Sequence, residues 1–546
     1  MKRRPFAWLF VAIISAAGSV YLLGNANVQL WDRDEPRFAQ TSRQMLNSGD
    51  WVVPRFLDTV RTAKPVLIYW CQATSMSFLN DNAFAARLPS VLAVVLTLAL
   101  LGIVITREAG SNRGLWTIFI FSSCTLAIGA AKMCLTDSVL LLFITISQLC
   151  IYRIWKYGGG IVTVLLLGVS IGLAGLTKGP VAIGVNLTTI AALCLFGWRW
   201  PGVDRGPLSG RQFAIITGAT LLIVAIVVGP WMYLIEQRVP GFISGSFQND
   251  VVNRIASGQE GHWGPPGYYT LAVWVTFFPW SLLIPAAIVT GWRNRHQPAT
   301  RFALAALIGP WVMFELFATK LPHYVLPTYP ALAYLTADML LRASRASIRD
   351  LRSRAFLGLV WIGALVVILV GSVPWAMLIY AKQFDLLSIV AASLAMVTGI
   401  MMGVGAAIRF TCAQPLGAAR ALGLGMFSLV ALVYAMFLPR YEPLRISARV
   451  AEIISEQGGH GQFGYMIDYK EPSLAFHQGG GLREQKVDDY LNQSAPAQWP
   501  RWIVTTRRVW EATRDDVRVQ WNIIGSVKGV AYNEGGEDEI LVLRHH

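Results

Sequence analysis

The chain has 546 residues, of which 54% are hydrophobic and only 14% charged, and its mean hydropathy is +0.49. The apolar residues come in runs of 17 or more, which excludes a soluble globular domain of this size, and no alternating ten-residue pattern supports a barrel. The net charge of +15 does not point to nucleic acid, because most Lys and Arg residues fall in short loops between apolar runs, where they report topology.

Lys2, Arg3 and Arg4 precede an apolar run from Phe6 to about Gly24 that reads as an uncleaved first span. Further runs lie at roughly 87–105, 115–131, 137–152, 161–177, 180–197, 213–235, 268–290, 302–319, 324–341, 356–379, 386–408 and 419–437, which predicts about thirteen transmembrane helices. With the N-terminus in the cytoplasm, every inside loop is basic, from Arg107 and Arg113 through Arg293, Arg295 and Arg301 to Arg409 and Arg420. The positive-inside rule then puts two long loops, about 25–86 and 236–267, and the tail after Pro439, outside. The expected division is a membrane domain over 1–439 and an extracytoplasmic α/β domain over 440–546. In that tail, strands are predicted at Trp502–Thr506, Val519–Ile524 and Glu539–Leu543, and a helix near Ile446–Glu456. The six cysteines show neither a disulfide framework nor metal-thiolate spacing.

The densest polar stretch, Trp31 to Gln40, opens the first outer loop with Asp32, Asp34 and Glu35 beside Arg33 and Arg37. The other ionisable residues outside the basic loops are Lys64, Lys132, Asp137, Lys178, Arg254, His262, Lys320 and His323, and the topology gathers all of them at the outer ends of spans. Charges at that depth are costly unless paired or hydrated, so the expectation is one hydrated cavity for an anionic, partly lipidic ligand. Plainer roles stand beside it. Asp137 after Thr136 also suits a helix start, Lys178 and Lys320 suit interfacial anchors, and His323 suits an interfacial residue without a ligand.

The ordered motifs Asp34-Glu35-Pro36-Arg37-Phe38-Ala39, Gly49-Asp50-Trp51-Val52-Val53-Pro54, Lys64-Pro65, Ala86-Arg87-Leu88-Pro89, Leu135-Thr136-Asp137, Gly175-Leu176-Thr177-Lys178-Gly179-Pro180 and Thr319-Lys320-Leu321-Pro322-His323-Tyr324 resemble bacterial aminoarabinose transferases. These are GT-C type integral membrane glycosyltransferases related to protein O-mannosyltransferases. The resemblance covers most of the first 340 residues and implies a multi-span helical fold with an external tail. It implies that Asp34 is the acidic residue near the transferred sugar and the acceptor, and Asp137 the second acidic residue. Lys64 is implied to meet the lipid phosphate and Tyr324 to lie near it. Ala63 departs from the pattern, since many relatives carry Glu before Lys-Pro, and with it goes a metal contact. His262 alone is a poor metal site, so no metal is predicted, and a divalent ion is the one cofactor left open.

The resemblance implies an inverting transfer from a polyprenyl (undecaprenyl) phosphate sugar to an envelope acceptor, whether lipid A, another glycolipid or a protein. Negative charge grows on the departing phosphate, and Lys64, Arg37, Lys178 and Arg254 are the cations expected to stabilise it. Asp34 deprotonates or orients an acceptor hydroxyl, or positions the donor where the acceptor is a phosphate. Glu35, His262, Lys320 and His323 complete the candidates. A flippase for lipid-linked sugars is the competing reading, but the two similar halves with broken spans that mark many transporters are not evident in the sequence.

Overall fold

The computed structural model describes residues 3–31, 34–196, 208–248, 263–343, 354–492, 499–531 and 536–546. Helices dominate up to residue 440, and a five-stranded sheet forms the tail. Among the described residues, eight helices are long and apolar enough to cross a membrane, or nine if the pair Ser111–Ser122 and Thr125–Lys132, bent by 64°, counts as one. Helices Phe6–Leu22 and Val181–Leu195 are apolar but shorter.

The thirteen expected runs therefore do not become thirteen long helices. The run at 268–290 breaks into Tyr268–Thr276, a 3-10 turn Ser281–Leu283 and Ile284–Arg293, with Pro279 and Pro285 inside it. The run at 324–341 becomes a 3-10 segment Pro322–Thr328 followed by a 15-residue helix Tyr329–Ala343. At about 1.5 Å per residue such a helix is shorter than a hydrocarbon core of about 30 Å. Counting apolar residues does not register proline, which removes a backbone donor and ends a helix.

The helices up to residue 238 are α1 (Arg3–Leu22), α2 (Asp34–Ser48), α3 (Leu67–Leu79), α4 (Ala83–Ala109), α5 (Ser111–Ser122), α6 (Thr125–Lys132), α7 (Thr136–Tyr157), α8 (Ile161–Lys178), α9 (Val181–Leu195) and α10 (Gly210–Arg238). The loop expected over 25–86 is thus largely structured, since it holds α2, α3 and a hairpin of β1 (Arg55–Phe56) and β2 (Thr59–Val60). Asn82 caps α4 by accepting from Ala85 N–H. Close helix contact depends on small residues. A Cβ on Gly168 or Gly172 of α8 would fall 2.6 or 2.8 Å from Ile223 or Val227 of α10, so substitution at either would push the two helices apart.

In the tail, β3 (Gly464–Ile467), β4 (Leu482–Gln485), β5 (Trp502–Thr506), β6 (Trp521–Ala531) and β7 (Gly536–His545) lie in the order β4-β3-β5-β7-β6. β3 runs parallel to β4 and β5, and the β5–β7 and β7–β6 pairs are antiparallel. Alternation decides the two faces. Trp502, Val504, Ile540 and Val542 pack with helix Ile446–Glu456, whereas Ile503, Leu541 and Leu543 pack with Val509 and Trp510. Central strand β5 is buried throughout.

Candidate active site

One cavity collects chemistry from distant parts of the chain. Lys64, Asp137, Lys178, Phe314, Tyr324 and Pro327 are among its walls, so charged and aromatic side chains meet there. Local structure explains each placement. α7 begins at Thr136 after extended Leu135, so Asp137 stands in its first turn, where an acid suits the helix dipole. α8 ends at Lys178, a cation at a helix C-terminus. Gly179, at φ +62°, then reverses the chain into α9, which explains the Lys-Gly-Pro motif. The Pro322–Thr328 segment adds Tyr324 to the lining.

The electrostatics are tight. Lys178 Nζ lies 2.7 Å from Asp137 Oδ1, and His323 Nε2 lies 3.7 Å from the other carboxylate oxygen. Lys178 Nζ also stands 4.9 Å from the Tyr324 ring centroid, whose π face favours a cation. Lys64 donates to its neighbour's carbonyl, Ala63 O, at 2.6 Å. With His323 neutral, Lys64 and Lys178 against Asp137 leave the walls one net positive charge, which suits an anion.

The single cavity expected from the sequence divides here. Asp34, 55% exposed, opens α2 outside the cavity lining and faces Arg61 at 3.6 Å. Arg37 is half-buried on the same helix. Glu35 has a structural environment. It is fully buried and pairs with Arg87 at 2.7 and 2.9 Å, and it also accepts from Trp31 and Cys134 N–H at 2.7 and 3.0 Å. Those four bonds fill the lone-pair sites of an ionised carboxylate. Arg87 in turn caps the carbonyls of Asn25, Val28 and Gln29. Lys320, 3% exposed, donates to Glu315 O at 2.7 Å and sits beside Tyr269. Lys132 donates to Leu23 O at 2.7 Å. Arg254 and His262 lie outside the described residues.

Arg61 was missed in the sequence. Only 9% of its side chain is exposed. It donates to the Tyr69 hydroxyl at 3.0 Å and stacks 4.9 Å from the Phe38 ring centroid while facing Asp34. A lone arginine after a hairpin carries no spacing signal. Among the described residues no three His, Cys, Asp or Glu side chains gather as metal ligands, and position 63 is Ala. The donors among the described residues do not fit a metal.

A family profile described as dolichyl-phosphate-mannose-protein mannosyltransferase matches residues 9–244. The undecaprenyl phosphate-alpha-4-amino-4-deoxy-L-arabinose arabinosyl transferase of Enterobacter sp. (strain 638) is 30% identical over 402 residues, covering 70% of this chain and 69% of that protein. The protein of the same name from Edwardsiella ictaluri is 29% identical over 381 residues, covering 67% of this chain and 66% of its own. The chain thus spans about two thirds of the length of these relatives, 66% and 69%. The crystal structure of ArnT from Cupriavidus metallidurans bound to undecaprenyl phosphate has the same fold, with a TM-score of 0.78 at 19% identity over 98% of both chains. A multi-pass helical membrane fold and this level of identity lead to one conclusion: the chain belongs to the family of undecaprenyl phosphate-aminoarabinose arabinosyl transferases, membrane glycosyltransferases related to the protein mannosyltransferases.

Proposed function

We propose that this glycosyltransferase moves a sugar from a polyprenyl phosphate, undecaprenyl phosphate in a bacterium, to lipid A, another glycolipid or a protein on the outer face of the inner membrane. The observation that carries this reading is the convergence of Lys64, Asp137, Lys178 and Tyr324 from four separate segments on one cavity at the helix ends. The orientation follows from the basic loops at the opposite ends. In the same reading, residues 1–439 form the membrane domain and residues 440–546 an α/β domain on the outer face.

The donor phosphate sits between Lys64 and Lys178, with Tyr324 beside it and with Arg37 and Arg254 as further cations. As the anomeric carbon becomes oxocarbenium-like, charge builds on the leaving phosphate, and fixed cations in a dry site stabilise that charge more than the ground state. Asp137 holds Lys178 in place through the 2.7 Å contact. Asp34, exposed and next to Arg61, orients or deprotonates the acceptor from the opposite side of the anomeric carbon, which gives inversion. The departing group keeps its electron pair as polyprenyl phosphate, and the acceptor proton goes to Asp34 or to water.

The test is transfer by purified protein in detergent, with a panel of polyprenyl phosphate sugars and extracted envelope lipids. Release of free polyprenyl phosphate coupled to acceptor glycosylation, and abolished by Asp34→Asn and Lys64→Ala, is the expected result. Donor binding without turnover across the panel would overturn the reading in favour of transport.

A further inference from the structure

Leu57 occupies a position that its type rarely takes. It is the first turn residue of the two-residue β1–β2 hairpin and has a φ of +52°, a left-handed backbone that such hairpins normally give to Gly. What holds a leucine there is its side chain, which is only 7% exposed and lies in the core of the tail with Ile446, Val450, Met466, Leu482 and Trp502. Next to it, Asp58 pairs with Arg483 of β4 at 2.7 Å. From the other side, Gln44 of α2 brackets Leu57, donating to its carbonyl and accepting from its N–H, both at 2.8 Å. A second bond runs between the same two parts. Buried Arg43 of α2 pairs with Asp81 and donates to Phe476 O in the tail at 2.6 Å.

The hairpin is therefore held by α2 and the tail together, and it leads straight to the site. Four residues on, Arg61 faces Asp34, and seven residues on, Lys64 lines the cavity. We propose that the C-terminal sheet domain is a positioning part of the transfer machinery, with Leu57 as the plug that fixes the 55–64 segment and so sets Arg61 against Asp34 and Lys64 in the phosphate cavity. The plug acts through the groups it places and touches no substrate. This inference rests on the reading of the Lys64 cavity as the donor site.

The experiment compares full-length wild type, Leu57→Gly, which suits the backbone and removes the plug, and Leu57→Met, which keeps the apolar volume. Two readouts are taken beside thermal melting: transfer with the donor and acceptor that the panel identifies, and binding of undecaprenyl phosphate alone. Misplacement of about 1 Å at a reacting group lowers rates by up to about a hundredfold, so L57G is expected to lose about ten- to a hundredfold in kcat/KM and to bind undecaprenyl phosphate several-fold more weakly. The lost leucine leaves a cavity in the tail core, so L57G should melt below wild type and its kcat/KM is taken per folded molecule, whereas L57M should stay within about threefold of wild-type activity. Wild-type kcat/KM and binding in folded L57G overturn the proposal, as does a loss that only tracks the unfolded fraction. If L57G does not accumulate folded, the Asp58→Arg and Arg483→Asp exchange decides. Each single change should lower kcat/KM and the double should restore it, and failure to restore overturns the proposal. If D34N and K64A keep full transfer, it is the site reading that fails; if they abolish transfer while L57G does not, only this inference fails.

Discussion

Replacing Arg87 by Met separates structure from chemistry in the first loop. Arg87 is 3% exposed and makes five hydrogen bonds, two to fully buried Glu35 and one each to the carbonyls of Asn25, Val28 and Gln29. The variant leaves a carboxylate buried with only the Trp31 and Cys134 N–H groups, and three carbonyls without their donor. Removing one partner of a buried ion pair costs about 3–5 kcal/mol. Against a total stability of about 5–15 kcal/mol that is a large loss, so melting in detergent should fall by many degrees and expression should drop. Adding Glu35→Leu should recover part of the loss, since the unpaired charge goes while the carbonyls remain uncapped. Scanning fluorimetry on the purified variants, with transfer measured on the surviving folded fraction, is the assay. An Arg87→Met protein that melts with wild type, together with a Glu35→Leu protein that is stable but inactive, would refute the structural assignment and return Glu35 to the chemistry.

Lys178→Met should lower transfer by about a hundred- to a thousandfold, the scale of losing one preorganised charge stabiliser, measured as single-turnover release of polyprenyl phosphate. Equal turnover in that variant would exclude Lys178 from the leaving-group side. Asp34→Asn should lower turnover by about a hundredfold or more while leaving melting and undecaprenyl phosphate binding unchanged, because the side chain is 55% exposed. Burial, then the charges of Arg43, Arg87 and Arg445, pushes the His477 imidazole down to about 4 from its usual 6.5. The unfolded chain then takes up this proton first, so His477 leaves stability intact above about pH 6.5 and removes it progressively as pH falls towards 4. His477→Gln should flatten the melting-temperature profile in that window, and an unaltered slope would count against it.

Much of this protein is legible without coordinates, because a bilayer imposes simple rules on a chain. Long apolar runs must be helices, since unpaired backbone groups are not tolerated in hydrocarbon, and basic loops mark one side. The tail strands Trp502–Thr506 and the helix Ile446–Glu456 are equally visible, through period-2 and period-3.6 patterning. Short strands β3 and β4, four residues each, carry too little periodicity to be read. What the sequence cannot contain is pairing over long separations. Glu35 and Asp34 are neighbours with the same chemistry in the sequence, yet one closes on Arg87, 52 residues away, and the other faces Arg61 at the surface. Asp137 meets Lys178 and His323 only because three helix ends are packed side by side, and Leu57 finds its place in a core assembled some four hundred residues later. Composition and periodicity determined the class of fold and the side on which polar chemistry collects. Tertiary packing alone decided which charges are neutralised within the core and which line a cavity or stay exposed, because that choice depends on distances of a few ångströms between segments far apart in the chain.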